Sequence, residues 1–517
     1  MPMVLHIFLK DVHRLWWAVL ATWVPLAALA CLDRWRIDWV VSSPEGWLNL
    51  LLPLAWVCLI AMVVQEEPLA DQGHFWTTWP YRWPVLLGAK VLFVATFIHL
   101  PALVTDSAVV ASHGFSPWES LRPLLWKQAV LAAVLIVPAM ALASVCRRIT
   151  HFVVAAILIF GGAAYLAAFS GQTAPWITPD ELRWEIPAMV LALAAGLVIV
   201  LQYSRRRTMS SRVVGAVAMA VATVLFACLT PSLTARLRMS LHPQQAELSL
   251  RLGASLPEPP QRLLNVRGLA AFVVVALPAT LPMAPEGSEL LLGPPLVEIV
   301  GADGGRLQSV IPSPSRRPGP SDLIAYVDPT DHGQGWLVLR IPRRVMAQFQ
   351  DGPVAIRGRS TVSFVGRGET TWMPVGANAP VPGLGRCVSE GLDGQGVDGG
   401  GMLKVLCESL APVSSLTEVR LWSPGTGRTW RHHLGDSAPV VYGPREAWLS
   451  PLHRLQTYFH LAEAARMPQS GSGWLVPPEV LTGARLAITP GSITGSAVMS
   501  IDIQHVALRD YVVTSAR

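Results

Sequence analysis

The stretch from Arg205 to Pro231 limits most severely what this chain can become. Arg205, Arg206 and Arg207 are followed by Arg212, and Val213 to Leu229 then carries no charge. At about 1.5 Å rise per residue, such a run approaches the thickness of a bilayer's hydrocarbon layer. Similar apolar runs precede it. None follows, and Pro, Gly and short alternating segments take over. It therefore reads as the last membrane crossing and as the boundary between two unlike halves, 1–231 and 232–517. Lys and Arg flanking a span stay on the cytoplasmic side, which puts the second half outside the cytoplasm.

Composition agrees with a polytopic membrane protein. Hydrophobic residues make up 52% and charged residues only 14%, where soluble domains carry roughly 25% charged. The net charge of +6 sits largely as Arg clusters at span ends, so it gives no reason to expect a nucleic-acid partner. The partner it does imply is the lipid bilayer.

Six further spans are expected before the last one: Leu15 to Cys31, Trp47 to Val64, Val85 to about Thr105, Leu124 to Val145, His151 to Phe169, and Ile186 to Tyr203. Met1 to Arg14 sets apolar Val4, Leu5, Phe8 and Leu9 against His6, Lys10, Asp11 and Arg14, the pattern of a short interfacial helix. Ala28-Leu29-Ala30 also suits a signal-peptidase site, although Trp16, Trp17, Trp23 and Pro25 make an odd signal core. About seven spans put the N-terminus inside. Lys10, Arg14, Arg82, Lys90, Arg147, Arg148, Arg205, Arg206, Arg207 and Arg212 then fall on the cytoplasmic side. Arg34, Arg36, Arg122, Lys127 and Arg183 fall outside.

Two places in this half carry chemistry worth weighing. His99 and Asp106 lie along or just beyond the third span, and ionisable groups within a membrane are functional candidates by default. The plainer reading seats Asp106 at the outer interface and satisfies His99 inside the bundle. The loop after the second span opens with Glu66 and Glu67, continues through Asp71 and Gly73, and returns through Trp76, Trp79, Pro80, Tyr81, Arg82, Trp83 and Pro84 to Gly88-Ala89-Lys90. Its Trp and Tyr residues match an interfacial belt, with Lys90 snorkelling to the same surface.

This loop resembles that of the permease subunits of type-2 ABC exporters, over roughly Lys10 to Lys90. In that family an acidic, Gly-containing cytosolic loop after the second span meets the ATPase subunit. The resemblance implies an ATPase partner in trans that binds ATP and Mg, with no cofactor held by this chain. It also implies a paired permease, such as a homodimer, and docking through Glu66, Glu67, Asp71, Gly73 and Arg82. The sequence supports the division of labour, because no G-x-x-x-x-G-K-[ST] phosphate loop occurs. The rival reading is a non-transport sensor or scaffold anchored by the spans, whose second half binds a partner.

The second half reads as mainly β and sandwich-like, in one or two units. Ala271 to Leu277 is a Val-rich buried strand, and Trp336 to Ile341, Thr361 to Val365 and Met499 to His505 alternate apolar and polar residues. Ser450 as N-cap and Pro451 at N1, followed by Leu452, Leu455, Phe459 and Ala462, predict one helix. Gly394 to Gly399 matches G-x-G-x-x-G but lacks the strand and helix that give this string meaning, so it reads as a loop. No H-E-x-x-H, C-x-x-C or G-x-S-x-G occurs. His432, His433, His453 and His460 lack partners at ligand spacing, so neither a metal site nor an enzyme is expected. Cys31, Cys58, Cys146 and Cys228 read as small buried hydrophobes. Cys387 and Cys407 either pair in an oxidising compartment or stay as buried thiols.

Overall fold

The architecture comes from a computed structural model. It describes residues 2–35, 44–67, 82–169, 181–241, 244–253, 271–282, 285, 288–311, 322–329, 334–349, 352–382, 384–393, 402–410, 417–431, 452–461, 475–476 and 478–513. The first half is helical. Its helices are α1 (Pro2–Trp35), α2 (Pro44–Gln65), α3 (Trp83–Ser112), α4 (Leu121–Val145), α5 (Ile149–Phe169), α6 (Glu181–Arg205), α7 (Thr208–Cys228) and α8 (Pro231–Leu241).

Among the described residues, five helices are long and apolar enough to cross a membrane: α1, α3, α4, α6 and α7. Two shorter apolar stretches, Leu51–Gln65 and Ile149–Ile159, lie in α2 and α5. Met1 to Arg14 was expected as a separate interfacial helix. Instead α1 runs without a break from Pro2 through the first apolar run, because nothing around Arg14 and Leu15 stops a helix.

The bundle closes around Trp56, Ile60, Val63, Phe93, Ile98, Met140 and Phe152. Val213, Val217, Val221 and Val224 of α7 stay on the outside, as lipid-facing side chains do. Cys31 and Cys228 are also exposed rather than buried, since both lie at helix ends beyond that core. Two helices carry a π turn, at Ala95–His99 in α3 and Ala132–Ile136 in α4, and each turn is followed two residues later by a proline. Pro101 has no N–H to offer the carbonyl four residues back. That carbonyl, Phe97 O, instead accepts from Trp23 Nε1 of α1 at 3.2 Å.

The second half is β-rich. A nine-stranded sheet comprises β1 (Gln244–Leu252), β2 (Phe272–Thr280), β3 (Ser288–Leu292), β4 (Leu296–Val300), β5 (Arg306–Gln308), β6 (Ile324–Pro329), β7 (Gln334–Pro342), β8 (Val354–Arg367) and, from the end of the chain, β18 (Gly491–Val506). Its order is β5-β4-β8-β18-β1-β2-β7-β6, with β3 also paired to β8. Alternate side chains point inward, as β4 shows, and Leu250, Leu277, Ile299, Leu339, Ile356 and Met499 form its core.

The strands between β8 and β18 make a smaller unit of two sheets. One holds β10 (Asn378–Val381), β11 (Gly385–Asp393), β12 (Met402–Leu410), β15 (Leu452–Leu461) and β16 (Leu475–Val476). The other holds β9 (Thr371–Pro374), β13 (Glu418–Trp422), β14 (Thr429–Arg431) and β17 (Arg485–Thr489). Both contribute to one core, including Met373, Leu403, Leu421, Phe459 and Leu486.

The four alternating or Val-rich segments expected as strands lie in β2, β7, β8 and β18. A helix was expected from Ser450 to Ala462, but the described part of that range is extended. Leu452–Leu461 is β15, paired with β12 over nine residues from Leu410↔Leu452 to Met402↔His460. Cross-strand pairing of Tyr458, Phe459 and Thr457, good strand formers, outweighs the helical spacing of Leu452, Leu455, Phe459 and Ala462. The G-x-G-x-x-G segment, His432, His433, Ser450, Pro451 and Ala462 lie outside the described residues. His453 and His460 lie on β15.

Candidate functional site

Three helix ends meet in a cluster of charges with a buried centre. Lys10, Asp11 and Arg14 come from α1, Glu66 and Glu67 from the turn after α2, and Lys90 from the second turn of α3. Lys90 and Asp11 have no exposed side-chain surface, and Glu67 has almost none. Lys90 Nζ lies 2.8 Å from Asp11 Oδ2 and 2.7 Å from Glu67 Oε2. Lys10 Nζ donates to Glu67 Oε1 at 2.7 Å, and Arg14 pairs with Glu66. Three cations and three carboxylates therefore balance.

Lys90 does not snorkel to the surface as expected. Two carboxylates from other helices hold it inside, where a charge is tolerated only when paired. Asp11 Oδ1 is buried without a hydrogen-bond partner among the described residues. Burial alone would raise the Glu67 carboxyl, but the Lys90 charge and hydrogen bonds from Lys10 and Lys90 outweigh it and hold the group below its ordinary value.

The same end of the bundle gathers other helix termini. Gln65 Nε2 donates to Ala143 O near the end of α4 at 3.5 Å, and Arg212 of α7 donates to Val145 O through Nη2 at 3.0 Å. A guanidinium at that position satisfies an orphan carbonyl and complements the helix dipole. The loop residues expected as partner contacts are therefore not alike. Glu66 and Glu67 are engaged within the chain, and Arg82 is exposed at the start of α3. Asp71 and Gly73 lie outside the described residues.

A second polar cluster sits further along α3, about 24 Å from Lys90 at 1.5 Å rise per residue. Asp106 is buried within the bundle. Lys127 Nζ of α4 donates to both of its carboxylate oxygens at 2.7 Å, and Gln128 Nε2 donates to Oδ2 at 3.3 Å. Gln128 Oε1 in turn lies 2.9 Å from His99 Nδ1. The structure thus joins His99 and Asp106 through Gln128.

Nothing in the sequence marked Lys127 and Gln128 as partners for these two, but Pro101 and Pro138 gave a signal for the π turns that flank them. Among the described residues, no group of three or more His, Cys, Asp or Glu could hold a metal ion. In the β-rich half Cys387 and Cys407 form a disulfide between directly opposed residues of β11 and β12. The chain matches no known family, no curated protein and no solved structure.

Proposed function

We propose that the chain is the membrane subunit of an ATP-driven exporter of the type-2 ABC class, energised by a separate ATPase. In this reading α1 to α7 make seven crossings, the N-terminus is cytoplasmic, and the β-rich half lies outside as a periplasmic-type domain. ATP and Mg belong to the partner, and two copies of the chain pair in the bilayer.

One observation carries the reading. Lys90 ties the start of α1, the turn after α2 and the start of α3 together, on either side of the segment 68–81 that joins α2 to α3 in sequence. A push on that segment would move three helices at once, because separating Lys90 from its carboxylates would leave uncompensated buried charges. Arg82, exposed at the start of α3, and Glu66, partly exposed beside Arg14, are then the charged residues of the described loop ends placed to meet a partner.

Purification of the intact protein from its native membrane in mild detergent tests this. An ATPase subunit should accompany the wild type, and Glu66→Lys with Arg82→Glu should reduce its recovery in a salt-sensitive way. ATP hydrolysis by the isolated chain, or purification with no ATPase under any mild condition, would overturn the reading in favour of a membrane-anchored scaffold.

A further inference from the structure

The hydrogen bonds from His99 to Lys127 have only one consistent direction. Asp106 receives two contacts from the Lys127 ammonium, so it is a carboxylate and can only accept. Gln128 must therefore turn its NH2 towards Asp106, and its carbonyl Oε1 is left facing His99 Nδ1. The reversed amide would set two acceptors against each other at 3.3 Å in a buried place. With Oε1 facing it, Nδ1 must be the nitrogen that carries the proton. In neutral His99 the lone pair is then on Nε2, and among the described residues no hydrogen bond reaches it.

His99 closes the π turn of α3, and the second π turn, Ala132–Ile136, starts one helical turn beyond Gln128. Wide turns of this kind are frequent at functional sites. Lys127 is occupied by Asp106, so its positive charge is already neutralised. What the cluster presents is an acceptor without net charge.

We propose that His99 Nε2, on a half-buried side chain of the membrane half, is a hydrogen-bond acceptor site that takes an uncharged donor such as the hydroxyl of an amphiphilic molecule. Asp106 and Gln128 act as positioning residues, fixing the tautomer, and an anion is disfavoured because it would meet a lone pair. This goes beyond the export reading and stands whether or not an ATPase drives the bundle.

Nitrogen-15 NMR of the full-length, histidine-labelled protein in detergent tests it, with the His99 signals assigned by their loss in His99→Asn. Spectra are taken at pH 9, above the ordinary imidazole range near 6.5. The expected result is a protonated Nδ1 and an unprotonated Nε2, the reverse of the tautomer free imidazoles favour. Gln128→Leu should restore the common tautomer. If that variant does not fold, the wild-type spectrum alone decides. Added n-butanol should shift the Nε2 resonance upfield as it donates, and sodium butyrate at the same concentration should not. A wild-type His99 protonated at Nε2 would overturn the proposal. So would a shift produced by butyrate and not by butanol.

Discussion

The ring of Phe115, in the turn between α3 and α4, occupies the space that a Cβ on Gly385 at the start of β11 would need. Ile311 N also donates to Ser232 Oγ of α8 at 3.4 Å. The β-rich half therefore meets the end of the bundle opposite the Lys90 cluster, next to the helix that holds Asp106. Gly385 has a φ of 77°, a conformation that glycine tolerates and alanine does not.

Gly385→Ala should accordingly destabilise this contact by roughly 1–3 kcal/mol from backbone strain alone, with the clash in addition. Thermal unfolding of the full protein in detergent measures it. Phe115→Ala in the same background should recover the clash part and leave the strain, so the two substitutions should be non-additive. Strict additivity would mean that the two residues do not meet.

Lys90→Met should be among the most damaging single changes in the membrane half. It leaves Asp11 without its cation and removes one of the two from Glu67, both carboxylates being buried. Breaking a buried pair on one side costs about 3–5 kcal/mol, whereas replacing the whole group by neutral side chains is often harmless. Adding Asp11→Asn and Glu67→Gln to Lys90→Met should thus restore most of the lost unfolding temperature. If the single change proves silent, the three helix ends are not held by this cluster.

Glu67 sets a pH dependence of definite sign. Its carboxyl is held below its ordinary value, so the folded state binds this proton less readily than the unfolded chain does. The stabilisation is complete above the unfolded value near 4.3 and is lost as pH falls through the folded one. Unfolding temperatures of wild type and Glu67→Gln should converge on acidification below about pH 4 and separate above about pH 5. A gap that widens towards acid would reverse the assignment.

The parts of this architecture set by local pattern were legible in the sequence. Val-rich β2 and alternating β7 carry the period of their strands in their own residues. The apolar run of α7 declares a membrane helix in the same way. What the sequence hid depends on partners far along the chain. Lys90 looks like an interfacial lysine until Asp11 and Glu67 are seen to reach it from other helices. Leu452–Leu461 has helical spacing, and only the ladder to β12 makes it a strand. His99 and Asp106 stood out as ionisable groups in an apolar segment, but Gln128, which links them, and Lys127, which pairs with Asp106, lie on the next helix.

The side of the membrane occupied by the β-rich half can be tested together with its disulfide. Cys387 and Cys407 face each other across β11 and β12, twenty residues apart in sequence, with Cα atoms 4.1 Å apart. On the chain-entropy account, closing a loop of this size stabilises the folded state by roughly 3 kcal/mol. Cys387→Ser with Cys407→Ser should lower the unfolding temperature of the smaller β unit while the ladder keeps its register. Both sulfurs are buried, so neither can report accessibility directly. Arg509, well exposed beyond β18, can. With Cys31, Cys58, Cys146 and Cys228 replaced by serine, Arg509→Cys should react with a membrane-impermeant maleimide in intact spheroplasts, as an outside domain requires. Such a domain meets an oxidising compartment, in which the Cys387–Cys407 bond persists. Reaction only after lysis would put the β-rich half in the cytoplasm, where the pair would be kept reduced, and the proposed count of seven crossings would fall with it.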